Sequence, residues 1–228
     1  MHSIKGMLSV LYEDNHMIIV NKKAGDIVQG DRTGDIPLSE LVKQYLKKKY
    51  HKPNDVFLGV VHRLDRPTSG IVLFAKTSKS LRHLNEMLRE KQIQKTYWAV
   101  VKNKPVKDHD TLIHFLKKNP KSNKSTVFSK ETPGSKKAVL HYKVIKSLTH
   151  YFLLEIHLET GRHHQIRAQL SFIGSPVKGD LKYGFNRTVK NRSIYLHARK
   201  IQFIHPVKKE EIQITAPPSN DVIWHTCL

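Results

Sequence analysis

Apolar residues in this chain occur in short runs rich in β-branched and aromatic side chains, a pattern that is typical of strands. The runs Ser9–Asp14 and Met17–Lys22 are separated by a polar turn and predict a hairpin. Two further runs, Val56–Val61 and Ile71–Ala75, enclose a polar loop and predict two buried strands. The N-terminal part of the chain therefore predicts a sheet of short strands.

The same pattern continues in the second half of the chain. Segment 103–137 carries many lysines among Asn, Ser, Pro and Gly, and it predicts hairpins with exposed basic tips. Further strands are predicted at Lys95–Val101, Val139–Ile145, Tyr151–Leu158, Ser193–Arg199 and Glu211–Ala216, the last two joined through 201–206.

Helical spacing of apolar residues occurs in only a few places. One helix is predicted after Pro37, with a buried stripe within 38–46, and a second is predicted to be capped by Ser78 or Ser80. A third, short helix is predicted within 166–173. We predict an α+β fold with a mixed, mainly antiparallel sheet, a few flanking helices and a cleft across the sheet. No internal repeat or linker is evident, so we expect one catalytic domain over 1–228, or two lobes sharing a cleft.

Composition adds information about partners. Among 228 residues, 40 Lys and Arg face 19 Asp and Glu, which gives a formal net charge of +21. Such an excess favours a polyanionic partner, either nucleic acid or an acidic membrane surface. No apolar run approaches the roughly 20 residues that span a bilayer, so nucleic acid is favoured over a membrane. Cys227 is the only cysteine, which excludes disulfides within the chain and Cys-type zinc sites and favours a cytoplasmic location.

The loop His62–Gly70 contains a carboxylate, Asp65, between Arg63 and Arg66. Because neighbouring cations favour the charged form of a carboxyl group, we expect Asp65 to be ionised near neutral pH. Such a group can be a nucleophile, a base or the anchor of a structural ion pair, and the loop by itself leaves these alternatives open.

A second charged group of interest is Arg167, in the stretch LETGRHHQIR. It lies beside the apolar stripe of the third helix, so we expect it to point inward and to need a carboxylate partner, for which Asp65 is the candidate. His163 and His164 in the same stretch do not predict a metal site, because adjacent helical residues point about 100 degrees apart.

Three strings carry a resemblance to a known family. The first is HRLDRPTSG with the apolar run and Ala75-Lys76 after it, the second is KTYWAV around Tyr97, and the third is LETGRHHQIR with PVKGDLKYG. Together these strings resemble the three motifs of the RluA-type pseudouridine synthases. The likeness runs from about Val10 to about Ala216 and implies the pseudouridine synthase fold. It also implies isomerisation of a uridine in structured RNA, ribosomal or transfer, by an enzyme that needs no metal or cofactor.

The resemblance assigns roles to individual residues. It implies Asp65 as the catalytic carboxylate, Tyr97 as a base or stacking residue facing it, and Arg167 as the ion-pair partner of Asp65. Arg63 is implied to fill the space that a flipped-out uridine leaves, although a phosphate contact is the simpler alternative, and His62 is expected to support the loop. The residues we expect at the RNA are His62, Arg63, Arg66, Lys76, Arg162 and His164.

Three departures from the family pattern stand out: NKKAG for NKPAG, HHQIR for THQIR and RAQL for RxHL. They affect expected substrate contacts more than chemistry, since none touches the three catalytic candidates. Two alternatives remain open, a non-catalytic RNA-binding or ribosome-associated protein and a metal-dependent nuclease using Asp65 with Glu159 or Asp180. We expect a monomer.

Overall fold

The structure is a computed structural model that describes residues 8–31, 33–189 and 193–228. The chain divides into two compact units. The first contains the chain up to Gln94 together with Ala198–Ser219, and the second contains Lys95–His197 together with Asn220–Leu228. Each unit is described by itself.

The first unit is a sheet with two helices. Its strands are β1 (Ser9–Glu13), β2 (Met17–Lys22), β3 (Gly59–Val60), β4 (Ser69–Ala75), β10 (Leu196–Ile204, from Ala198 onward) and β11 (Glu211–Thr215), and its helices are α1 (Leu38–Lys49) and α2 (Ser78–Arg89). The strands follow the order β1-β2-β4-β10, with β3 beside β4 and β11 beside β10. The pairs β1–β2, β2–β4, β3–β4 and β10–β11 are antiparallel.

Strands β2 and β4 form the centre of this unit. Every residue of β4 is buried, and in β2 only Asn21 is partly exposed, because both sheet faces are covered there. Antiparallel pairing places Lys22, the last residue of β2, opposite Gly70 at the start of β4. The sheet thereby brings the end of β2 next to the loop that precedes β4.

The second unit is a sheet that carries α3 on one face. Its strands are β5 (Gln94–Val101, from Lys95 onward), β6 (His109–Asn119), β7 (Lys124–Phe128), β8 (Lys136–Ser147) and β9 (Phe152–Leu158), and its helices are α3 (Gln165–Phe172) and α4 (Val222–Cys227). The strand order is β5-β9-β8-β6-β7, and every pair in it is antiparallel.

Helix α3 packs through Ala168 against Leu116 and Ala138. Helix α4 packs its Trp224 and Cys227 against a different cluster, which includes Val100. A 3-10 turn, Leu181–Tyr183, follows α3.

The α+β prediction, a sheet with few helices, is confirmed. The strand predicted over Val56–Val61 was mostly wrong, since only Gly59–Val60 pairs with β4. The predicted cap of α2 was also wrong, because Thr77 is the N-cap: its side chain accepts from the backbone N–H of Ser80, whose hydroxyl reciprocates.

Two further elements differ from the prediction. The strand predicted to end at Arg199 continues to Ile204, because Lys200–Ile204 pairs residue by residue with β11. Helix α4 was not predicted, since its six residues are too few for a helical period to emerge. The expectation of one catalytic domain over 1–228 stays a prediction.

Candidate active site

The loop before β4 holds Asp65 on a turn. The carbonyl of Asp65 accepts a hydrogen bond from the backbone N–H of Thr68 at 3.0 Å, with Arg66 and Pro67 between them. Thr68 and Ser69 are buried, whereas Asp65 is partly exposed. The turn therefore anchors the loop to the sheet, while Asp65 keeps part of its surface exposed.

Lys22 joins this loop to the turn after β2. The side chain is 1% exposed, and its Nζ donates to the carbonyls of Lys23 at 2.9 Å, Asp26 at 2.7 Å and Arg66 at 3.1 Å. The same Arg66 carbonyl also accepts from the backbone N–H of Gly25 at 2.8 Å. All three ammonium donors are used, so the two turns are held as one unit.

Lys22 also acts on Asp65 electrostatically. Burial lowers the pKa of Lys22 to about 8, while the charges of Asp26 and Asp65 oppose that shift. Lys22 therefore stays largely protonated at neutral pH and places a fixed positive charge near Asp65. Sequence reasoning missed Lys22; the available signal was a lysine that ends an otherwise apolar strand.

The four residues of this unit predicted to contact RNA have different environments. His62 accepts a hydrogen bond at Nε2 from the backbone N–H of Leu73 at 3.2 Å, which fits the expected supporting role. Arg63 is exposed, and Arg66 is exposed and ion-paired with Asp35. The prediction that they contact RNA stays a prediction.

Lys76 is the fourth, and it is strongly engaged within the protein. Its Nζ pairs with Glu13 at 2.9 Å, donates to the carbonyl of Asp14 at 2.6 Å and lies 4.8 Å from the centroid of the Tyr50 ring. These contacts account for the position of the Lys76 ammonium group in the absence of RNA. The predicted RNA contact of Lys76 stays a prediction.

In the second unit, Tyr97 lies on β5 and is 6% exposed. It is paired with Ile156 of β9, which in turn is paired with Tyr142 of β8. Directly paired residues share a sheet face, so Tyr97 is on the same face as Tyr142. Ala138 lies four residues before Tyr142 on β8 and therefore on that face too, and it packs against α3. Tyr97 and Arg167 therefore belong to the same side of this sheet.

Arg167 is buried, as its position in the sequence predicted, and it is paired with Asp180. Its Nε lies 2.6 Å and its second terminal nitrogen 2.9 Å from the two carboxylate oxygens of Asp180. The side chains are 5% and 1% exposed. A bidentate pair of this kind fixes both the position and the plane of the guanidinium. Sequence reasoning considered Asp180 only as a metal ligand, although PVKGDLKYG was recognised; the predicted pairing of Arg167 with Asp65 stays a prediction.

Tyr183 supports the same guanidinium from its flat side. The Arg167 Cζ lies 5.1 Å from the centroid of the Tyr183 ring. The Tyr183 Oη accepts from the backbone N–H of Ser125 at 2.8 Å and lies 2.9 Å from the Nδ1 of His164. Tyr183 therefore connects β7, the start of α3 and Arg167.

His164 is the N-cap of α3 and has a left-handed backbone, with φ of 54°. Burial, followed by the charge of Arg167, lowers the pKa of His164 to about 2. The imidazole is therefore neutral at physiological pH, and its Nδ1 can accept the Tyr183 hydroxyl proton. The predicted RNA contact of His164 stays a prediction, but the structure gives it a defined internal bond.

Two of the departures from the family pattern contact the β6–β7 hairpin. His163 lies 3.0 Å through its Nδ1 from the Oγ of Ser125. Gln169 is fully buried, and its amide nitrogen lies 3.1 Å from the carbonyl of Leu112 and 3.0 Å from the Nδ1 of His114. These substitutions therefore fit the third motif to its neighbouring strands. The substrate effects expected of them stay predictions.

Among the described residues, no three His, Cys, Asp or Glu side chains are grouped so that they could hold a metal ion. Nor does any helix in those residues have the length and apolar character needed to cross a membrane.

The comparisons with known proteins define the class to which this fold and site belong. The profile of the RNA pseudouridylate synthase family matches residues 16–172. A ribosomal large subunit pseudouridine synthase C from Buchnera aphidicola is 37% identical over 96% of this chain and 69% of its own length. An uncharacterized RNA pseudouridine synthase of Bacillus subtilis is 36% identical over 93% of this chain and 69% of its own.

A solved structure agrees on the fold. Human RNA pseudouridylate synthase domain containing 4 superposes with a TM-score of 0.78 at 22% identity, over 93% of this chain and 89% of that one. The chain belongs to the RNA pseudouridylate synthase family, and its resemblance to the RluA-type members is confirmed. It is therefore an isomerase that converts uridine to pseudouridine in RNA, and the non-catalytic alternative is not favoured.

Proposed function

We propose that the protein isomerises specific uridines of large-subunit ribosomal RNA, with Asp65 as the catalytic carboxylate. The observation that carries the assignment to Asp65 is its place on a turn that the buried Lys22 ammonium holds to the sheet. The ribosomal substrate is supported by relatives named ribosomal large subunit pseudouridine synthase C, of which one from Vibrio cholerae is 32% identical over 91% of this chain and 65% of its own length.

The product of the reaction is an isomer of the starting nucleotide. The bond between N1 and C1′ breaks, the base rotates, C5 bonds to C1′, and the C5 proton is lost while N1 gains one. As an anion, Asp65 starts this sequence either by attacking covalently or by removing a sugar proton. Tyr97 is proposed to remove the C5 proton late in the reaction or to stack on the base.

Arg167 is proposed to pair with Asp65 during the reaction. A guanidinium has five N–H donors, and Asp180 engages donors on one edge only. Because Asp180 fixes one edge of the guanidinium and the Tyr183 ring fixes its face, the other N–H groups of Arg167 point in a defined direction. Such preorganisation is what electrostatic catalysis requires. Asp180 and Tyr183 are thus positioning residues for Arg167.

The target uridine has to leave its stack to reach such a site, at a cost of a few kcal/mol. We propose that Arg63, which is exposed, occupies the vacated space, and that Arg66, Arg162 and other basic side chains contact phosphates. Selectivity would then come from RNA shape and unpaired bases, as is usual for RNA-binding proteins.

The substrate proposal is tested by incubating the purified protein with transcribed large-subunit ribosomal RNA or with transfer RNA and mapping the pseudouridines formed. We expect modification at one or a few positions of the ribosomal transcript. Modification of the transfer RNA alone would contradict the ribosomal assignment.

We further propose that the protein acts as a monomer and without a metal. The expected result is unchanged activity after dialysis against EDTA. Loss of activity that zinc or magnesium restores would revive the metal-dependent alternative.

A further inference from the structure

Ser125 is one of the residues that fix the hairpin formed by β6 and β7 to the third motif, LETGRHHQIR with PVKGDLKYG. Ser125 of β7 is 3% exposed, and its Oγ donates to the carbonyl of His163 at 2.7 Å. Its backbone N–H donates to the Oη of Tyr183. The basic hairpin is therefore attached by hydrogen bonds to the rest of the second unit, next to the residues that surround Arg167.

Four cationic side chains lie around the contacts between this hairpin and the third motif. We call Lys118, Lys124, Arg162 and Lys182 the junction cations. Lys118 is paired directly with Ser125, so its side chain lies on the sheet face from which Ser125 contacts the motif.

The other three are placed by their own contacts. The Nζ of Lys124 lies 5.1 Å from the centroid of the Tyr183 ring. The Nζ of Lys182 donates to the carbonyl of Asn123 at 3.1 Å, and the Nε of Arg162 donates to the carbonyl of Lys137 at 2.9 Å. Lys118 and Lys182 are both close enough to His164 for their charges to contribute to its lowered pKa, after burial and the nearer cations.

The junction cations also lack carboxylate partners within 8–31, 33–189 and 193–228. The nearby carboxylate, Asp180, is engaged by Arg167. By contrast, Lys43, Lys104 and Lys107 each pair with an acidic side chain on the same segment. Like charges held together without compensation repel one another, and a polyanion relieves that repulsion.

We propose that the junction cations bind the phosphate backbone of the RNA substrate. The inference deepens the proposed function, on which it rests, because it assigns a substrate-binding surface to one hairpin. Two of the four cations lie on that hairpin, and the chain of contacts through Ser125 and Tyr183 leads from it to Arg167. Binding of phosphates at this surface would thus place the RNA next to Arg167.

The test compares two triple variants of equal charge. One replaces Lys118, Lys124 and Lys182 by Ala, and the control replaces the carboxylate-paired Lys43, Lys104 and Lys107 by Ala. The dissociation constant for transcribed large-subunit ribosomal RNA is measured over a series of salt concentrations.

For the junction variant we expect at least about tenfold weaker binding near 0.1 M salt and a salt slope lower by about two, since each lost phosphate contact removes about 0.7 from the slope on single strands. The control should change neither quantity appreciably. Equal effects of the two variants, or an unchanged slope in the junction variant, would overturn the proposal.

Two additions keep the result interpretable. Replacing the same three lysines by Arg should restore the slope, because charge is retained. If the triple variant does not fold, as judged by circular dichroism, the single change Lys118→Glu is used, and it should weaken binding at low salt more than at high salt. These readouts are binding constants, so a failure to form pseudouridine would count against the proposed function and not against this surface.

Discussion

At the scale of single residues, the centre of the second unit is a charge pair supported by neutral groups. Arg167 and Asp180 are both buried, where an unpaired charge costs several kcal/mol. Their bidentate contact pairs the two charges and so avoids that cost, and the Tyr183 ring covers the guanidinium. When the proton of the neutral His164 is on Nε2, the Tyr183 hydroxyl donates to Nδ1 while its oxygen accepts from the backbone N–H of Ser125, so the two bonds run in one direction.

Tyr183→Phe removes the hydroxyl and keeps the ring. We expect the free energy of unfolding to fall by about 1–3 kcal/mol, since the buried N–H of Ser125 loses its acceptor. We also expect kcat to fall about tenfold with little change in KM, because Arg167 is less firmly oriented. Chemical denaturation and steady-state kinetics measure the two effects.

A positioning role is separated from a structural one in two ways. Tyr142→Phe is the matched control, because its buried hydroxyl donates to the carbonyl of Lys107 at 3.1 Å and therefore tests the loss of a hydrogen bond alone. It should lower stability and leave kcat unchanged. In an Arg167→Lys background, Tyr183→Phe should have no further effect on kcat; a full additive loss would contradict positioning through Arg167.

His164 makes the fold sensitive to acid. Its folded pKa of about 2 lies below the ordinary 6.5, so the unfolded state binds a proton that the native state refuses. Stability is therefore complete above pH 6.5 and decreases as the pH falls below it. His164→Asn should flatten this dependence, because Asn accepts at Oδ1, suits a left-handed backbone and does not titrate. The check is the urea midpoint of both proteins between pH 7 and about pH 5; identical slopes would contradict the assignment.

At the scale of elements, the loop with Asp65 depends on the close approach of two strands. Gly70 has φ of +110°, and a Cβ there would lie 2.3 Å from the carbonyl oxygen and 2.5 Å from the backbone nitrogen of Ala198. Both neighbours are backbone atoms that cannot rotate away. Glycine is therefore required where the loop enters β4.

Gly70→Ala should lower the free energy of unfolding by about 3 kcal/mol or more, through the clash and the backbone strain together. Gly161→Ala is the control, since that glycine has no positive φ and no atom within 4 Å of an added Cβ. Thermal unfolding followed by circular dichroism measures both variants. An equally stable Gly70→Ala protein would show that the approach of β4 to Ala198 is less tight than described.

The elements that the sequence predicted are those with a strong period. The helix after Pro37 is found as α1, and the first hairpin is found as β1 and β2. The basic segment 103–137 forms the expected hairpin, although its attachment through Ser125 could not be predicted, since it depends on a partner 58 residues away. The cap of α2 was missed because several hydroxyl residues stand in a row and only their backbone angles distinguish them.

At the scale of the whole molecule, the sequence predicted the family and the chemistry better than the contacts. Asp65, Tyr97 and Arg167 were proposed as catalytic residues because their motifs resemble known ones. Lys22 and Asp180 were not assigned their roles, because a buried lysine on carbonyls and a carboxylate paired across a loop are defined only by the fold. The net charge of +21 predicted a polyanion but not where it binds.

The central claim is that the Asp65 carboxylate carries the isomerisation. The most direct measurement is the release of tritium from ribosomal RNA labelled at uridine C5, under single-turnover conditions with saturating protein. We predict that Asp65→Asn releases no tritium while binding the RNA within about twofold of the unmodified protein, and that Asp35→Asn, which removes a carboxylate paired with the same loop, remains active. Tritium release by a purified Asp65→Asn protein at the rate of the unmodified one would contradict the account.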